Sequence, residues 1–565
     1  MSTPRVATGL DVLVAEGFDS LRGRTVGVIA NPTSVDARLR HLADLLNAAP
    51  ELSLAALFGP EHGVRADAQD MIGVDSAVDS RTGVPVHSLY GTDLASLSPA
   101  PRQLDGLDTL VFDVQDVGSR YYTFAATMLY AMEAAAGRGI EFVVLDRPNP
   151  IGGVLVEGPT IQAGFHSFVG PHPMPNRHGM TVGELAGMFK AERSIDVNLR
   201  VVPCRGWARE MSWDETGLPW VMPSPNMPTP ETALIYPGGC LIEGTNLSEG
   251  RGTTRPFELW GAPWIDPYVP LDGPPPEGVL LRPCAFRPMF HKHAAQGCRG
   301  LQPHVTDPST FRPLMLYTRL LAWARAQDPG RFAWRTEVYE FVTDPVAIDL
   351  LYGSSRERKF IESGSSEWSD LQALWAADEA EFLGRRAEFL LYPADTTRTQ
   401  VLMSDREPLL RIEGAVDRPL ALTWNDLRGM PAADQVEDLA RFNPKRPGDG
   451  VTLESLLGLC GVRPEANYLT LHADEDDFHV SVPLDAVRGQ GIVVYRRGED
   501  PLSEDRGGPI RFLIPDPAAC HTAELDDCAN VKYLSRIELS VDKGRDNRPA
   551  GDAEHEALHA REPKA

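Results

Sequence analysis

Along the first third of the chain, short apolar runs alternate with amphipathic stretches. The runs are RTVGVIAN (Arg24–Asn31), LSLAALFG (Leu52–Gly59), VPVHSLYG (Val84–Gly91), DTLVFDVQDVG (Asp108–Gly118) and EFVVLDRPNP (Glu141–Pro150). Their length and β-branched content predict buried strands. SVDARLRHLADLLNAA has apolar residues at helical spacing behind Ser34, which predicts a helix capped by that serine. TFAATMLYAMEAAAGRG predicts a second helix, ending at Gly137 or Gly139. Strand and helix in alternation point to an α/β domain with a parallel, doubly wound sheet.

Beyond about Gly164 the texture changes. TVGELAGMFKAE (Thr181–Glu192) predicts a capped helix and VNLRVVPC a strand. Trp220–Trp264 is rich in Pro and Gly but interleaved with apolar residues, which reads as a long, ordered, functional loop. Helical periodicity resumes in FRPLMLYTRLLAWARAQ and DEAEFLGRRAEFLLY. PADTTRTQ reads as a linker. Beyond it LLRIEGAV, PLALTW, YLTLHA, FHVSVPL, GIVVYRRG, PIRFLIP and LSRIELS predict a mainly β domain. The expected domains are a Rossmann-like one over 1–163, a second α/β domain over 164–392 and a linker over 393–404. A β-rich domain over 405–541 and a charged, disordered tail over 542–565 complete the chain.

Charge narrows the partners. The chain carries 54 basic and 79 acidic residues, a net charge of −25. That argues against nucleic acid or an anionic membrane as the main partner. The seven cysteines are scattered and form no CxxC pair, so neither a disulfide framework nor a zinc ribbon is expected. The N-terminus has no apolar signal-like core and no membrane-length run occurs, so a cytoplasmic location is expected. The sequence sets no oligomeric state.

Three of the predicted strands end in polar clusters: Glu61 and His62, then Asp113, Asp116 and Arg120, then Asp146, Arg147 and Asn149. Open α/β sheets bind ligands beyond the carboxyl ends of their strands. Glu61–His62 suits an acid/base pair, a metal-ligand pair or a structural turn. Arg120 beside Asp116 suits polar ligand recognition, and Tyr121 and Tyr122 offer rings for the apolar face of a sugar. EGTNLSEGRGTTRPFE adds Glu243, Asn246, Glu249, Arg251 and Glu258. Paired carboxyls are what glycoside hydrolysis requires. No GxGxxG follows the first strand, and Walker and GxSxG motifs are absent. Nucleotide binding and a serine hydrolase therefore lack support, and neither a metal nor a cofactor is expected.

Taken in order, GLDVL, GVIANPTSV, LFGPEHGVR, FDVQDVGSRYYT, LDRPNPIGG, VEGP, RHGMTVGELA, PSPNMPT and YPGGCLIEGTNLSEGRGTTRPFELWGAPW resemble the NamZ-type exo-β-N-acetylmuramidases over about residues 8–392. The resemblance implies a glycosidase that removes non-reducing-end β-1,4-linked N-acetylmuramic acid from peptidoglycan fragments. It implies a cleft between a Rossmann-like domain and a second α/β domain. The family's glutamate in GPEHG falls on Glu61, as the acid, with His62 positioning it or the substrate. Glu243 or Asp116 is the expected second carboxyl. Arg120, Arg147 or Arg251 is expected to meet the lactyl carboxylate. Asp146, Asn149, Asn226 and Asn246 are expected partners of the acetamido group, and Tyr122 of the ring. Many relatives are exported; a chain without an export signal fits recycling of imported fragments.

The β-rich domain resembles the molybdopterin-binding domain of sulfite-oxidase-like oxidoreductases through IEGAVDRPLALTWNDLRGMP, GVTLESLLGLCGVRPEANYLTLHADE, SVPLDAV, GGPIRFLIPD and VKYLSRIEL. In that family a cysteine thiolate binds molybdenum just before the helix. Here that segment, DLARFNPKRPGDG, contains no cysteine, and Asn or Pro does not replace a soft thiolate ligand. A cofactor-free binding or assembly domain is the expectation. A non-catalytic fragment- or partner-binding protein is the alternative to the muramidase, and a molybdenum oxidoreductase a weaker one.

Overall fold

A computed structural model describes residues 6–65, 77–91, 93–273, 276–392, 408–441, 447–474, 476–498, 500–503, 506–515 and 529–548. The chain forms two compact units, Met1–Ala394 and Asp395–Ala565. The linker expected over 393–404 lies outside the described residues.

The N-terminal unit is built on a seven-stranded sheet. Its strands are β1 (Thr25–Ala30), β2 (Ser53–Gly59), β3 (Ala77–Val78), β4 (Pro85–Ser88), β5 (Thr109–Asp113), β6 (Glu141–Leu145) and β7 (Leu199–Val202). Their order is β3-β4-β2-β1-β5-β6-β7, and all neighbours are parallel except β3 with β4. Without the antiparallel edge strand this is the 3-2-1-4-5-6 order of Rossmann folds, with its switch point between β1 and β5. Because β7 follows residue 163, the boundary expected there cuts through one sheet.

The apolar runs are continuous because both faces of the sheet are covered. Leu110 and Phe112 of β5, and Phe142 and Val144 of β6, enter one core. Val111, Val143 and Leu145, on the opposite face, enter another. The first core takes α3 (Phe124–Ala136) and α4 (Val182–Glu192) through Met128, Leu129 and Leu185. The second takes α1 (Gly9–Ala15) and α2 (Leu42–Ala48) through Leu10, Leu13, Leu42 and Leu46.

Two sequence expectations fail locally. No helix starts at Ser34. Its hydroxyl accepts from the Asn31 N–H at 3.0 Å and donates to the Asp113 carbonyl, so it ties the end of β1 to β5 instead of capping. Helix α2 begins at Leu42, capped by the His41 ring accepting from the Ala43 N–H. The long loop Trp220–Trp264 contains a ten-residue helix, Pro230–Gly239, running into a 3-10 turn, Cys240–Gly244. Thr229 caps it and Pro230 occupies its first turn, where the missing N–H costs nothing. Pro237 and two glycines near its end hid the helical pattern.

The VEGP motif joins this sheet to the long helix Pro313–Gln327. Glu157 accepts from the N–H groups of Leu314 and Met315 at 3.2 and 2.9 Å, the anion-binding position of a helix start. Burial pushes its carboxyl up to about 7, opposed by Arg312 and the Met315 N–H.

The C-terminal unit is mainly β. One sheet orders β8 (Leu410–Gly414), β9 (Leu420–Leu422), β10 (Tyr468–Ala473), β11 (Phe478–Pro483) and β12 (Arg536–Ser540) as β9-β8-β12-β10-β11. A second is formed by Gln435–Val436, Asp449–Thr452, Ile492–Arg497, Asp500–Pro501 and Arg511–Leu513. All seven expected strand segments are present. The expected tail is corrected in its first part: Gly544 and Asn547 donate backbone N–H groups to Ser481 and His479 of β11. Residues 549–565 lie outside the described residues. Among the described residues no helix is long and apolar enough to cross a membrane.

The raised Glu157 carboxyl carries a pH signature. Its contribution to stability is full below its unfolded value and is lost as pH rises through about 7. Glu157→Gln, always neutral, is expected to flatten the fall in thermal midpoint between about pH 5 and about pH 8. A wild-type slope in the variant would show that Glu157 does not titrate with folding.

Candidate active site

Beyond the end of β2 the chain turns through Pro60, whose carbonyl accepts from the Gly63 N–H at 2.9 Å. The turn needs two left-handed residues in succession, His62 at φ 74° and Gly63 at φ 81°. Glycine adopts that conformation freely, and histidine more readily than β-branched residues do. The result points Glu61 and His62, both nearly buried, into a cleft of about 510 Å³.

The cleft draws on distant segments. Glu61 accepts from the Thr123 hydroxyl at 3.1 Å, so the β2 loop is tied to the residue that starts α3. Tyr121, Tyr122 and Phe124 come from the same turn, Ser224 and Asn226 from the PSPN loop, and Glu243 and Arg251 from EGTNLSEGR. Glu243 is held from both sides: Arg251 donates to Oε1 at 2.7 Å and the Tyr339 hydroxyl to Oε2 at 2.8 Å. Arg251 also contacts Glu249 at 3.3 Å and lies 5.2 Å from the Phe257 ring centre.

Glu249 is fully buried below this layer, with Lys292 Nζ at 3.0 Å and His291 Nδ1 at 2.9 Å. Despite its burial, that cationic surround holds its carboxyl far below the usual range. Gly250 is required next to it. At φ 78° a Cβ there would collide with the Leu259 carbonyl.

Aromatic rings line one side. Tyr236 meets Tyr122 edge-on at 5.5 Å and Phe257 at 4.8 Å. Burial, with the charges of Asp116 and Glu61 adding, pushes the Tyr122 phenol up. Burial raises Tyr236 and Tyr339 as well, with Glu243 contributing. These phenols are therefore neutral donors beside carboxylates.

Of the sequence candidates, the structure gathers Glu61, His62, Tyr122, Asn226, Glu243 and Arg251 around one cleft. Asp116, Arg120, Asp146, Asn149 and Asn246 do not line it, and each has a structural task. Asp116 accepts from the Gly118 N–H at 2.6 Å and approaches His178 at 3.3 Å. Arg120 is fully buried and donates to the carbonyls of Pro159, Met174 and Leu351. Arg147 forms a two-pronged pair with Asp113, at 2.6 and 2.9 Å. Asp146 accepts from Thr181 and from the Gly183 N–H, both at 2.8 Å, and from the Tyr392 hydroxyl. Asn149 clamps Met180 and Ile151. Asn246 bridges to Arg331 and Ala333.

Sequence reasoning missed Tyr339 and Glu340. Both line the cleft from a tight turn in which Glu340 and Phe341 have φ 44° and 68°. Tyr90 donates to Glu340 at 3.3 Å. The one signal was a carboxylate inside the apolar stretch VYEFV.

Molybdenum ligation by a thiolate would draw on the cysteines of the C-terminal unit. Among the described residues its one cysteine, Cys460, is buried, donates to the Leu457 carbonyl, and has its thiol pushed up by burial. Cys520 and Cys528 lie outside the described residues.

Known proteins share this organisation. The family described as exo-beta-N-acetylmuramidase NamZ matches at residues 26–231 for its N-terminal part and 234–392 for its C-terminal part. An oxidoreductase molybdopterin binding domain matches residues 449–547. The peptidoglycan beta-N-acetylmuramidase NamZ of Bacillus subtilis (strain 168) is 44% identical over 392 residues, 69% of this chain and 92% of that protein. The uncharacterized oxidoreductase YuiH of the same organism is 28% identical over 111 residues, 19% of this chain and 56% of that protein. A crystal structure of a DUF1343 family protein from Bacteroides fragilis superposes with a TM-score of 0.60 at 35% identity, covering 69% of this chain and 99% of that one. A second DUF1343 structure from that organism gives 0.55 at 30% identity, with 69% and 100% covered. The chain belongs to the NamZ exo-β-N-acetylmuramidase family and carries an oxidoreductase molybdopterin-binding-type domain behind it.

Proposed function

We propose that the chain is an exo-acting glycosidase that releases N-acetylmuramic acid from the non-reducing end of peptidoglycan fragments. The observation that carries this reading is the convergence of Glu61 and Glu243 on one cleft from segments 182 positions apart in sequence (243 − 61). Glycoside hydrolysis divides its work between two carboxyl groups. Glu61 is the acid that protonates the glycosidic oxygen, with Thr123 fixing its carboxyl and the strained His62 backbone aiming it. Glu243, oriented by Arg251 and Tyr339, is the second carboxyl and acts at the anomeric carbon or on the attacking water. Asp116, outside the cleft lining, is set aside for that role.

The rest of the cleft suits the sugar. The Arg251 guanidinium, which holds Glu243 and meets Glu249, brings positive charge to the cleft for the lactyl carboxylate. Asn226 and the neutral phenols offer donors to the acetamido carbonyl, and Tyr122 and Tyr236 give apolar faces. A cytoplasmic recycling role is supported by five described cysteines, all buried free thiols, as in a reducing compartment.

The test is release of free N-acetylmuramic acid from a chromogenic β-N-acetylmuramide and from the MurNAc-GlcNAc disaccharide. Wild type should release it from both. Glu61→Gln should lower the rate by about 10²–10⁴-fold, the share of a positioned acid. Near wild-type hydrolysis by that variant would sink the assignment of Glu61. No release by a folded wild type would favour a fragment-binding protein.

Tyr339→Phe removes one of the two donors that hold Glu243. A lost hydrogen bond to a charged group is worth about 1.5–3 kcal/mol, so kcat should fall about 10–100-fold with little change in KM. An effect confined to KM would make Tyr339 a substrate ligand rather than a support of Glu243.

A further inference from the structure

In the C-terminal unit, β10 and β11 pair antiparallel and place His472 directly opposite His479. Both rings are almost completely buried, and their Nδ1 atoms lie 2.8 Å apart. Each ring's other nitrogen meets a carboxylate. His472 Nε2 is 3.2 Å from Glu538, and His479 Nε2 is 3.2 Å from Asp477. An ionised carboxylate only accepts, so each Nε2 directs an N–H at its carboxylate. The two Nδ1 atoms are then left facing each other across 2.8 Å. They repel unless a proton or a metal ion lies between them.

The surroundings supply a third donor and the charge. A carboxylate oxygen of Asp474 completes a set of three ligand atoms lying within 4.8 Å of one another. Among the described residues, Asp474, Asp477, Glu538 and Glu413 outnumber the two guanidiniums that touch them, Arg536 and Arg545. Asp474 already accepts from Ser535 and Arg536, but a carboxylate offers about four lone-pair sites. His479 is fixed from behind, because its backbone N–H donates to the Asn547 side chain at 2.7 Å and its carbonyl accepts from the Asn547 N–H at 3.0 Å.

We propose that His472, His479 and Asp474 form a binding site for a divalent first-row transition ion of the Zn²⁺ type. Two imidazole nitrogens and one carboxylate oxygen are a donor set for such ions. Carboxylates on the far nitrogens of both rings are the outer shell that fixes ligating histidines. Zn–N bonds of about 2.0–2.1 Å at the tetrahedral angle place the two nitrogens roughly 3.3 Å apart, so the rings need separate by only about half an ångström. Asp474 is partly exposed, which gives the ion a path in and leaves a fourth position to water. The site is independent of the muramidase reading and uses no thiolate.

The test uses the full-length chain, stripped with a chelator and titrated with Zn²⁺ against a chromophoric competitor. Wild type should bind one equivalent that His472→Gln and His479→Gln each weaken at least about 100-fold. Loading with Co²⁺ should give visible absorption that both variants lose. Asp474→Asn changes an exposed side chain and should weaken binding at least about 10-fold with an unchanged circular dichroism spectrum. Muramic acid release should be unaffected in all three. Absence of a stoichiometric equivalent in wild type, or equal binding by wild type and the three variants, would overturn the site.

Discussion

The N-terminal unit depends on one constraint: its central strands are buried on both faces. Residues of β5 and β6 alternate between two apolar cores, so neither face of the strands can hold a polar side chain at low cost. Polar groups can emerge only at the strand ends, and there each must find a partner. Asp113 finds Arg147, and Asp146 finds Thr181, Gly183 and Tyr392. Most of the charge at the carboxyl edge of the sheet is thus spent on closing that edge. The turn after β2 escapes because the backbone reverses sharply at His62 and Gly63 and carries Glu61 clear of the sheet.

The cleft inherits this division. One carboxyl, Glu61, belongs to the sheet edge and is tied to α3 through Thr123. The other, Glu243, belongs to the short helical turn after Pro230–Gly239 and is held by Arg251, which also meets the buried Glu249. Glu249 keeps its buried charge by pairing with Arg251, Lys292 and the more exposed His291, while Glu243 lines the cleft. Removing Lys292 or His291 would leave Glu249 a poorly compensated buried anion, so this support acts on the site without touching it.

The alternation of strand and helix was legible in the sequence because two-sided burial writes continuous apolar runs. Glu61 and Glu243 were legible because each sits in a glycine-flanked polar motif. Arg120 and Asn149 were misread for the same reason that they were noticed: they are polar residues at strand ends, and local sequence does not show that their partners are carbonyls from Leu351 or Met180. Ser34 resembled a cap because its hydroxyl's true partner, the Asp113 carbonyl, is 79 positions away. Tyr339 and Glu340 left only a faint trace, because a turn with two positive φ values built from Glu and Phe carries no glycine to announce it. The helix at Pro230 was hidden by residues that end helices elsewhere but here sit in its first and last turns.

Tyr392 stands at the end of the described N-terminal unit, and its hydroxyl both accepts from the Cys204 N–H at 2.9 Å and donates to Asp146. Its ring packs edge-on against Trp207 at 5.0 Å. The polypeptide therefore leaves this unit from a riveted point and not from a fraying end. The packing of the sheet and its cleft is thus closed off at Tyr392 by contacts made inside the N-terminal unit, and it does not call on the residues behind that position.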